Sequence, residues 1–260
     1  MAEFDGKIAL VTGGLSGIGR ATAQLLAVRG ATVVAAGMRP AHGTDAELSG
    51  VEQVEVDVTD EAAVARVVAD VATRHGGLDV LVAAAGIQRY GTAAETSTDE
   101  WNDVLAVNLT GTFHAVKYAL PHLRSRGAGS IVIVSSVQAF VTQTAVAAYT
   151  TSKGALTALA RSIAIDEAKN GVRANAVCPA SVDTPMLRAS ARAFSDGSDE
   201  GTRMLVESWG RMHPMGRVGR PEEVAEAIAF LASDRAGFIT GVSLPVDGGL
   251  LANAAVVLPE

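Results

Sequence analysis

Short runs of uninterrupted apolar residues alternate with longer stretches of helical periodicity, and this alternation restricts the fold more than any other feature of the chain. Residues 7–12, 31–36, 51–57, 78–84, 130–135, 172–177 and 242–246 read as strands. Residues 17–29, 60–75, 97–126, 149–170 and 221–233 read as helices, the third with a break near Asn108 and the last with Pro221 in its first turn. A strand that is apolar at every position has no face to give to water. Strands of that kind, separated by helices, form a parallel sheet covered on both sides. The expected class is therefore α/β, a doubly wound parallel sheet of about seven strands with helices on both faces. No linker or internal repeat divides the 260 residues, so 1–260 is expected to form a single domain. Residues 186–215, rich in Ser, Arg and Gly, read as a long irregular segment.

Bulk properties narrow the function. Twenty-one basic and 28 acidic residues leave a formal charge of −7, and no Lys/Arg block stands out, which argues against a nucleic-acid partner. The one cysteine, Cys178, excludes an intrachain disulfide and a multi-cysteine metal site. Residues 1–7 carry acids where a signal peptide carries a basic region, and no apolar stretch reaches about 18 residues. A cytoplasmic protein with no membrane partner is expected. His114 and His122 lie on a predicted helix without acidic partners at ligand spacing, so no metal is expected there.

The first predicted strand runs into Thr12-Gly13-Gly14-Leu15-Ser16-Gly17-Ile18-Gly19 and then into a helix. Glycines at 13, 17 and 19 allow a tight turn and let a pyrophosphate approach the helix N-terminus, where free N–H groups and the helix dipole favour anions. The placement between first strand and first helix suits a dinucleotide. No Gly-Lys-Ser/Thr follows, which excludes a P-loop. Further along, Tyr149 and Lys153 are four residues apart, so on a helix both leave the same face one turn apart. An ammonium beside a phenol favours the phenolate, whose ordinary pKa is about 10, and would make the tyrosine a proton-transfer group.

With these features in this order the chain resembles the short-chain dehydrogenase/reductase family over essentially its whole length. The resemblance rests on Thr12-Gly-x-x-x-Gly17-x-Gly19, Asp57 after a strand, Ala85-Gly86, Asn108 within Val-Asn-Leu-Thr-Gly, Ser135-Ser136, Tyr149-x-x-x-Lys153, and Pro179 with Thr184. It implies a Rossmann-type domain, a nicotinamide cofactor, interconversion of a small-molecule alcohol and carbonyl, and a homotetramer or homodimer. By the same resemblance Tyr149 is the general acid/base and Lys153 lowers its pKa and holds the nicotinamide ribose. Ser136 polarises the substrate oxygen, and Asn108 holds a water that links Lys153 to solvent. The cofactor would lie against Gly13, Leu15, Ser16, Gly17, Ile18 and Gly19 at the turn, and against Met38 and Arg39 after the second strand. Asp57 and Val58 would lie near the adenine, Ala84, Ala85 and Gly86 further along, and Pro179, Val182 and Thr184 at the nicotinamide, with Tyr149 and Lys153.

The chain departs from the family pattern twice: Asn-Asn-Ala-Gly is Ala83-Ala84-Ala85-Gly86 here, and Pro-Gly is Pro179-Ala180. The acidic position that selects NAD at the end of the second strand falls on Gly37, and Arg39 could meet a 2′-phosphate, so the cofactor expectation is NAD(P)(H) leaning to NADP(H). In the family, 186–215 corresponds to a substrate lid. Gln88, Tyr90, Gln138 and Gln143 are uncharged candidates for the pocket, while Arg188 and Arg192 leave an acidic substrate open. Competing functions are an epimerase or dehydratase that recycles its cofactor, and a non-catalytic sensor or scaffold. For self-association the resemblance points to residues 101–126 and 149–170. The tail 248–260, with apolar Leu250, Leu251, Val256, Val257 and Leu258, is expected to pack against a neighbour.

Overall fold

The computed structural model describes residues 2–38 and 48–253. Seven strands form one parallel sheet: β1 (Ile8–Thr12), β2 (Thr32–Gly37), β3 (Val51–Glu55), β4 (Val80–Ala83), β5 (Ser130–Val134), β6 (Arg173–Pro179) and β7 (Ser243–Val246), in the order β3-β2-β1-β4-β5-β6-β7. Both β2 and β4 pair with β1, so the chain direction across the sheet reverses there, the place where α/β sheets open a crevice beyond the strand ends.

The run-on hydrophobicity of the strands is explained by two separate cores. Successive side chains of a strand point to opposite faces. Leu10, Val34, Leu81, Ile131 and Ala176 therefore join a core under the helices α2 (Glu61–His75), α4 (Gly111–Arg126) and α5 (Ala147–Glu167). Their neighbours Val11, Val33, Val82, Val132 and Val177 join the other core, under α1 (Gly17–Val28) and α8 (Pro221–Ala232).

Local chemistry sets the helix ends. Asp60 caps α2 by accepting from the Ala63 N–H (2.9 Å), and Gly76 ends it at φ +81°. Helix α3 (Thr98–Leu105) opens with a capping box between Ser97 and Glu100. The expected break near Asn108 is a π-turn, Ala106–Thr110, which joins α3 to α4 without interrupting the helical path.

The expectation of irregular chain at 186–215 is corrected. Two helices, α6 (Pro185–Phe194) and α7 (Asp199–Gly210), occupy most of it. Thr184 accepts from the Leu187 N–H with Pro185 at the first helical position, and Ser198 accepts from the Gly201 N–H with Asp199 and Glu200 following. The Ser- and Gly-rich composition belongs to the caps and the turn between them. Among the described residues no helix is long and apolar enough to cross a membrane.

Candidate active site

A cleft of about 1260 Å³ opens at the carboxyl ends of the strands. At its floor, Gly13 adopts φ +68°, and a Cβ there would lie 2.6 Å from the Ala84 and Ala85 backbone. Gly19 is equally constrained, because its Cβ would lie 2.3 Å from the Gly13 carbonyl oxygen. These glycines let the β1–α1 turn pack flat against the end of β4. Unlike α2, α3, α6 and α7, helix α1 has no side-chain cap from its N-cap residue Ser16, and like α6 it carries no acid in its first turn. Its positive end is left to face the cleft, as an anion site requires.

Every residue expected to hold the cofactor lines this cleft, from Gly13, Leu15, Ser16, Gly17, Ile18 and Gly19 through Met38, Asp57, Val58 and Ala84 to Ala85, Gly86, Pro179, Val182 and Thr184. Arg39 is the exception, since it lies outside the described residues. The second strand ends in buried Gly37, which brings no carboxylate to the cleft. Asp57 is tied into a local turn by Thr59, whose N–H and hydroxyl both donate to Oδ1 (2.9 and 2.8 Å). His114 is buried, and its Nδ1 lies 3.1 Å from the Val58 carbonyl oxygen, so it steadies the wall. No cluster of metal-ligating side chains exists among the described residues.

Helix α5 carries Tyr149 and Lys153 one turn apart, with the Lys153 Nζ 5.4 Å from the centre of the Tyr149 ring. Ser136, which follows β5, is hydrogen-bonded to the Tyr149 phenol. Its hydroxyl also donates to the Pro179 carbonyl (3.4 Å) and accepts from the Gln138 N–H (3.2 Å). Ser135 turns the other way and donates to the Lys153 carbonyl (2.8 Å), so it braces α5. Lys153 is buried and donates to the Val134 carbonyl (3.0 Å).

Asn108 is fully buried and does not line the cleft. Its Oδ1 accepts from the Ile87 N–H (2.8 Å), and its Nδ2 donates to the Ile87 carbonyl and to Ser152 Oγ (both 3.0 Å). The side chain thus locks the loop after β4 to α5, behind the tyrosine–lysine pair.

The electrostatics differ from the simple expectation that the lysine draws the phenol down. Burial dominates: it pushes the Tyr149 phenol up to about 12, with the hydrogen bond from Ser136 opposing and the Tyr90 phenol adding to the rise. Burial also pulls the Lys153 ammonium down to about 8. Burial shifts both groups toward their neutral forms, but at about 8 the Lys153 amine is still largely protonated at pH 7.

The substrate end contains residues that sequence reasoning did not single out. His213 is buried, with Nδ1 3.0 Å from the Trp209 carbonyl and Nε2 accepting from the Ser181 N–H at 3.4 Å, which assigns the proton to Nδ1. Gly248 packs against the His213 ring, and the Met215 N–H donates to the Gly248 carbonyl (3.2 Å). One imidazole therefore joins the connection after β6, the end of α7 and the segment after β7. That last segment turns on Asp247, which accepts from the Gly249 and Leu251 N–H groups (3.0 and 2.8 Å) and places Leu250 and Leu251 in the cleft wall. Both leucines are half-buried in the wall of their own cleft. Val256, Val257 and Leu258 lie outside the described residues. Arg188 and Arg192, which had left an acidic substrate open, are both paired within the chain, to Asp183 (2.6 Å) and to Asp199.

A parallel seven-stranded sheet, a glycine turn open to an anion and a Ser–Tyr–Lys cluster beyond the strand ends define a nicotinamide-dependent oxidoreductase, and the chain belongs to the short-chain dehydrogenase/reductase family. A family model described as enoyl-(acyl carrier protein) reductase matches residues 13–251. The cis-4-hydroxycyclohexanecarboxylate dehydrogenase of Sinomonas cyclohexanicum is 42% identical, with 96% of this chain and 98% of that protein covered. The meso-2,3-butanediol dehydrogenase of Serratia marcescens is 36% identical over 96% of this chain and 97% of its own. Among solved structures, the ligand-free aldohexose dehydrogenase of Thermoplasma acidophilum superposes with a TM-score of 0.93 at 40% identity, covering 100% of this chain and 99% of that one. Dehydrogenases of this family use NAD(H) or NADP(H), and this chain is an oxidoreductase of that class acting on a small molecule.

Proposed function

We propose that the protein interconverts a secondary alcohol and its ketone, with Tyr149 as the group that gives or takes the hydroxyl proton. One observation carries this reading: the Tyr149 phenol, bonded to Ser136 and one helical turn from Lys153, lines the same cleft as the open end of α1. The nicotinamide, when bound, accepts or returns the hydride. The protein's own residues do the rest. The β1–α1 turn and the loops after β2 to β4 hold the dinucleotide, and Pro179, Val182 and Thr184 shape the nicotinamide end. Ser136 orients the substrate oxygen toward the phenol. Lys153 supports the phenol from behind and is itself fixed by Val134 and the Asn108-braced loop. A phenol held at about 12 is protonated at neutral pH, so the resting protein is ready to donate a proton to a ketone.

Replacing Tyr149 with Phe removes that proton and is expected to lower kcat by about 10²–10⁴-fold in a nicotinamide absorbance assay. Undiminished turnover would refute the role. The direction of the pH dependence follows. Alcohol oxidation needs the deprotonated phenol, so its kcat/KM should climb by up to about tenfold per pH unit on the alkaline side, while ketone reduction stays flat there.

The same proposal takes NADP(H) as the preferred cofactor, supported by the missing carboxylate at Gly37. It takes the chain as one domain, with 186–215 as the lid, and places it in the cytoplasm, where the free buried thiol of Cys178 is stable. Assembly as a homotetramer or homodimer belongs to it as well, supported by exposed Phe113 on α4 and Ile165 on α5.

A further inference from the structure

The substrate half of the cleft is furnished with neutral polar groups that lack partners. Tyr90 is half-buried, and its ring stands edge-on to Phe194 of α6 (centroids 4.6 Å apart, planes at 87°). That contact fixes the ring, yet its hydroxyl has no hydrogen-bond partner among the described residues. The Gln88 amide is half-buried and likewise has no side-chain partner among the described residues. Gln138 uses only its oxygen, which accepts from Thr150 Oγ1 (3.0 Å), so its NH₂ group remains available. All three line the cleft that holds Tyr149 and Ser136, and Tyr90 lies near enough to Tyr149 to perturb it. Polar groups sheltered from bulk water need partners, which a ligand rich in oxygen would supply.

Apolar side chains make up much of the remaining wall: Met186 and Leu187 of α6, Trp209 of α7 with Met212 just after it, and Leu250 and Leu251 after β7, beside polar Gln143, Ser190 and His213. An indole with aliphatic neighbours covers a C–H face well. Formal charge is limited, and Asp103 of α3 lines the cleft as an exposed side chain. Asp57 is held in its own turn and Lys153 is committed to Val134, while Arg188 and Arg192 are paired. Arg89 lines the cleft as an exposed side chain that donates to the Gln88 carbonyl (3.2 Å).

We propose that the substrate is an uncharged polyol of ring or sugar size, carrying a second hydroxyl beside the reacting carbinol that is held by Tyr90, with the Gln88 and Gln138 amides reading further oxygens. This rests on the oxidoreductase reading above and assigns its substrate class. In the oxidative direction a vicinal diol becomes an α-hydroxyketone. A bound oxidised nicotinamide would take the hydride from the carbinol carbon, while the hydroxyl gives its proton to the deprotonated Tyr149 phenolate.

The test is a matched set of alcohols assayed with each nicotinamide: cyclohexanol, cis- and trans-1,2-cyclohexanediol, an aldohexose, and 4-hydroxycyclohexanecarboxylate. At least one diol or the hexose is expected to exceed cyclohexanol in kcat/KM by about tenfold or more, as a site built to bond a hydroxyl discriminates. Tyr90→Phe should collapse that ratio toward one, and Gln88→Ala should reduce it. Equal kcat/KM for cyclohexanol and every polyol would overturn the substrate class and leave the oxidoreductase reading standing. So would a preference for the carboxylate that Arg89→Gln abolishes. A preference that survives both Tyr90→Phe and Gln88→Ala would overturn the assignment to these residues. Absence of turnover on any member with either cofactor would overturn this proposal together with the reading beneath it.

Discussion

The cleft has two halves built by different means. The cofactor half is made by backbone: glycines at 13 and 19 press one loop onto another, and a helix end is left uncapped. The substrate half is made by side chains from distant segments, gathered around one buried imidazole. A ligand shared by many enzymes can be held by a fixed backbone cradle. A ligand that differs from enzyme to enzyme needs walls whose side chains can change without disturbing the sheet.

The largest effect that would probe this contrast lies at Gly13. An alanine there must adopt φ +68° and press its Cβ to 2.6 Å from the Ala84 and Ala85 backbone, neither of which is a flexible side-chain end. Gly13→Ala is expected to weaken nicotinamide binding by at least about 100-fold, read by cofactor fluorescence titration, or to lower the melting temperature where the loop cannot shift. Wild-type affinity with an unchanged melt would show that the cradle is softer than its geometry implies.

In the other half, His213→Ala removes two hydrogen bonds that tie Ser181 and Trp209 together. KM for the substrate is expected to rise by about thirtyfold, at roughly 1 kcal/mol for each bond lost. An unchanged KM would mean that α7 and the connection after β6 hold their places without the imidazole.

The smallest effect concerns stability and lies between the halves. Lys153 titrates near 8 in the folded chain, against an ordinary value of 10.5. Between those values the unfolded chain binds more protons, so stability rises with pH across that window, and the cost of burying the ammonium is fully present below about 8. Lys153→Met is therefore expected to abolish turnover while raising stability at pH 7 by roughly 1–3 kcal/mol. That gain, several degrees in thermal melts, should fade toward pH 10.5. A melting temperature below wild type at pH 7 would show that the bond to the Val134 carbonyl outweighs the burial of charge.

The same contrast explains what could be read from the sequence. The sheet was legible because both of its faces are buried, which leaves strands such as Ile8–Thr12 apolar at every position. The glycine turn and the Tyr149–Lys153 pair were legible because the relevant neighbours lie within a few residues of each other. His213 was not, since Ser181 and Gly248 meet it only after the chain has folded, and an isolated histidine carries no local signature. The place of Leu250 and Leu251 in the cleft wall was not legible, because nothing nearby in sequence shows that Asp247 turns them inward. Helices α6 and α7 were hidden by the Ser, Asp and Gly residues of their own caps. The upward displacement of the Tyr149 phenol was equally hidden, because spacing reveals a neighbouring charge but not how much water the fold removes.

The turn on Asp247 has a practical consequence. A purification tag fused downstream of Asn253 would hang on the segment that places Leu250 and Leu251 in the cleft wall. The amino terminus instead enters at the opposite end of the sheet, where Glu3 meets Arg29. Kinetic constants should therefore be collected on protein tagged at that end. A difference in KM between the two tagged proteins would itself measure how closely the segment after β7 governs the cleft.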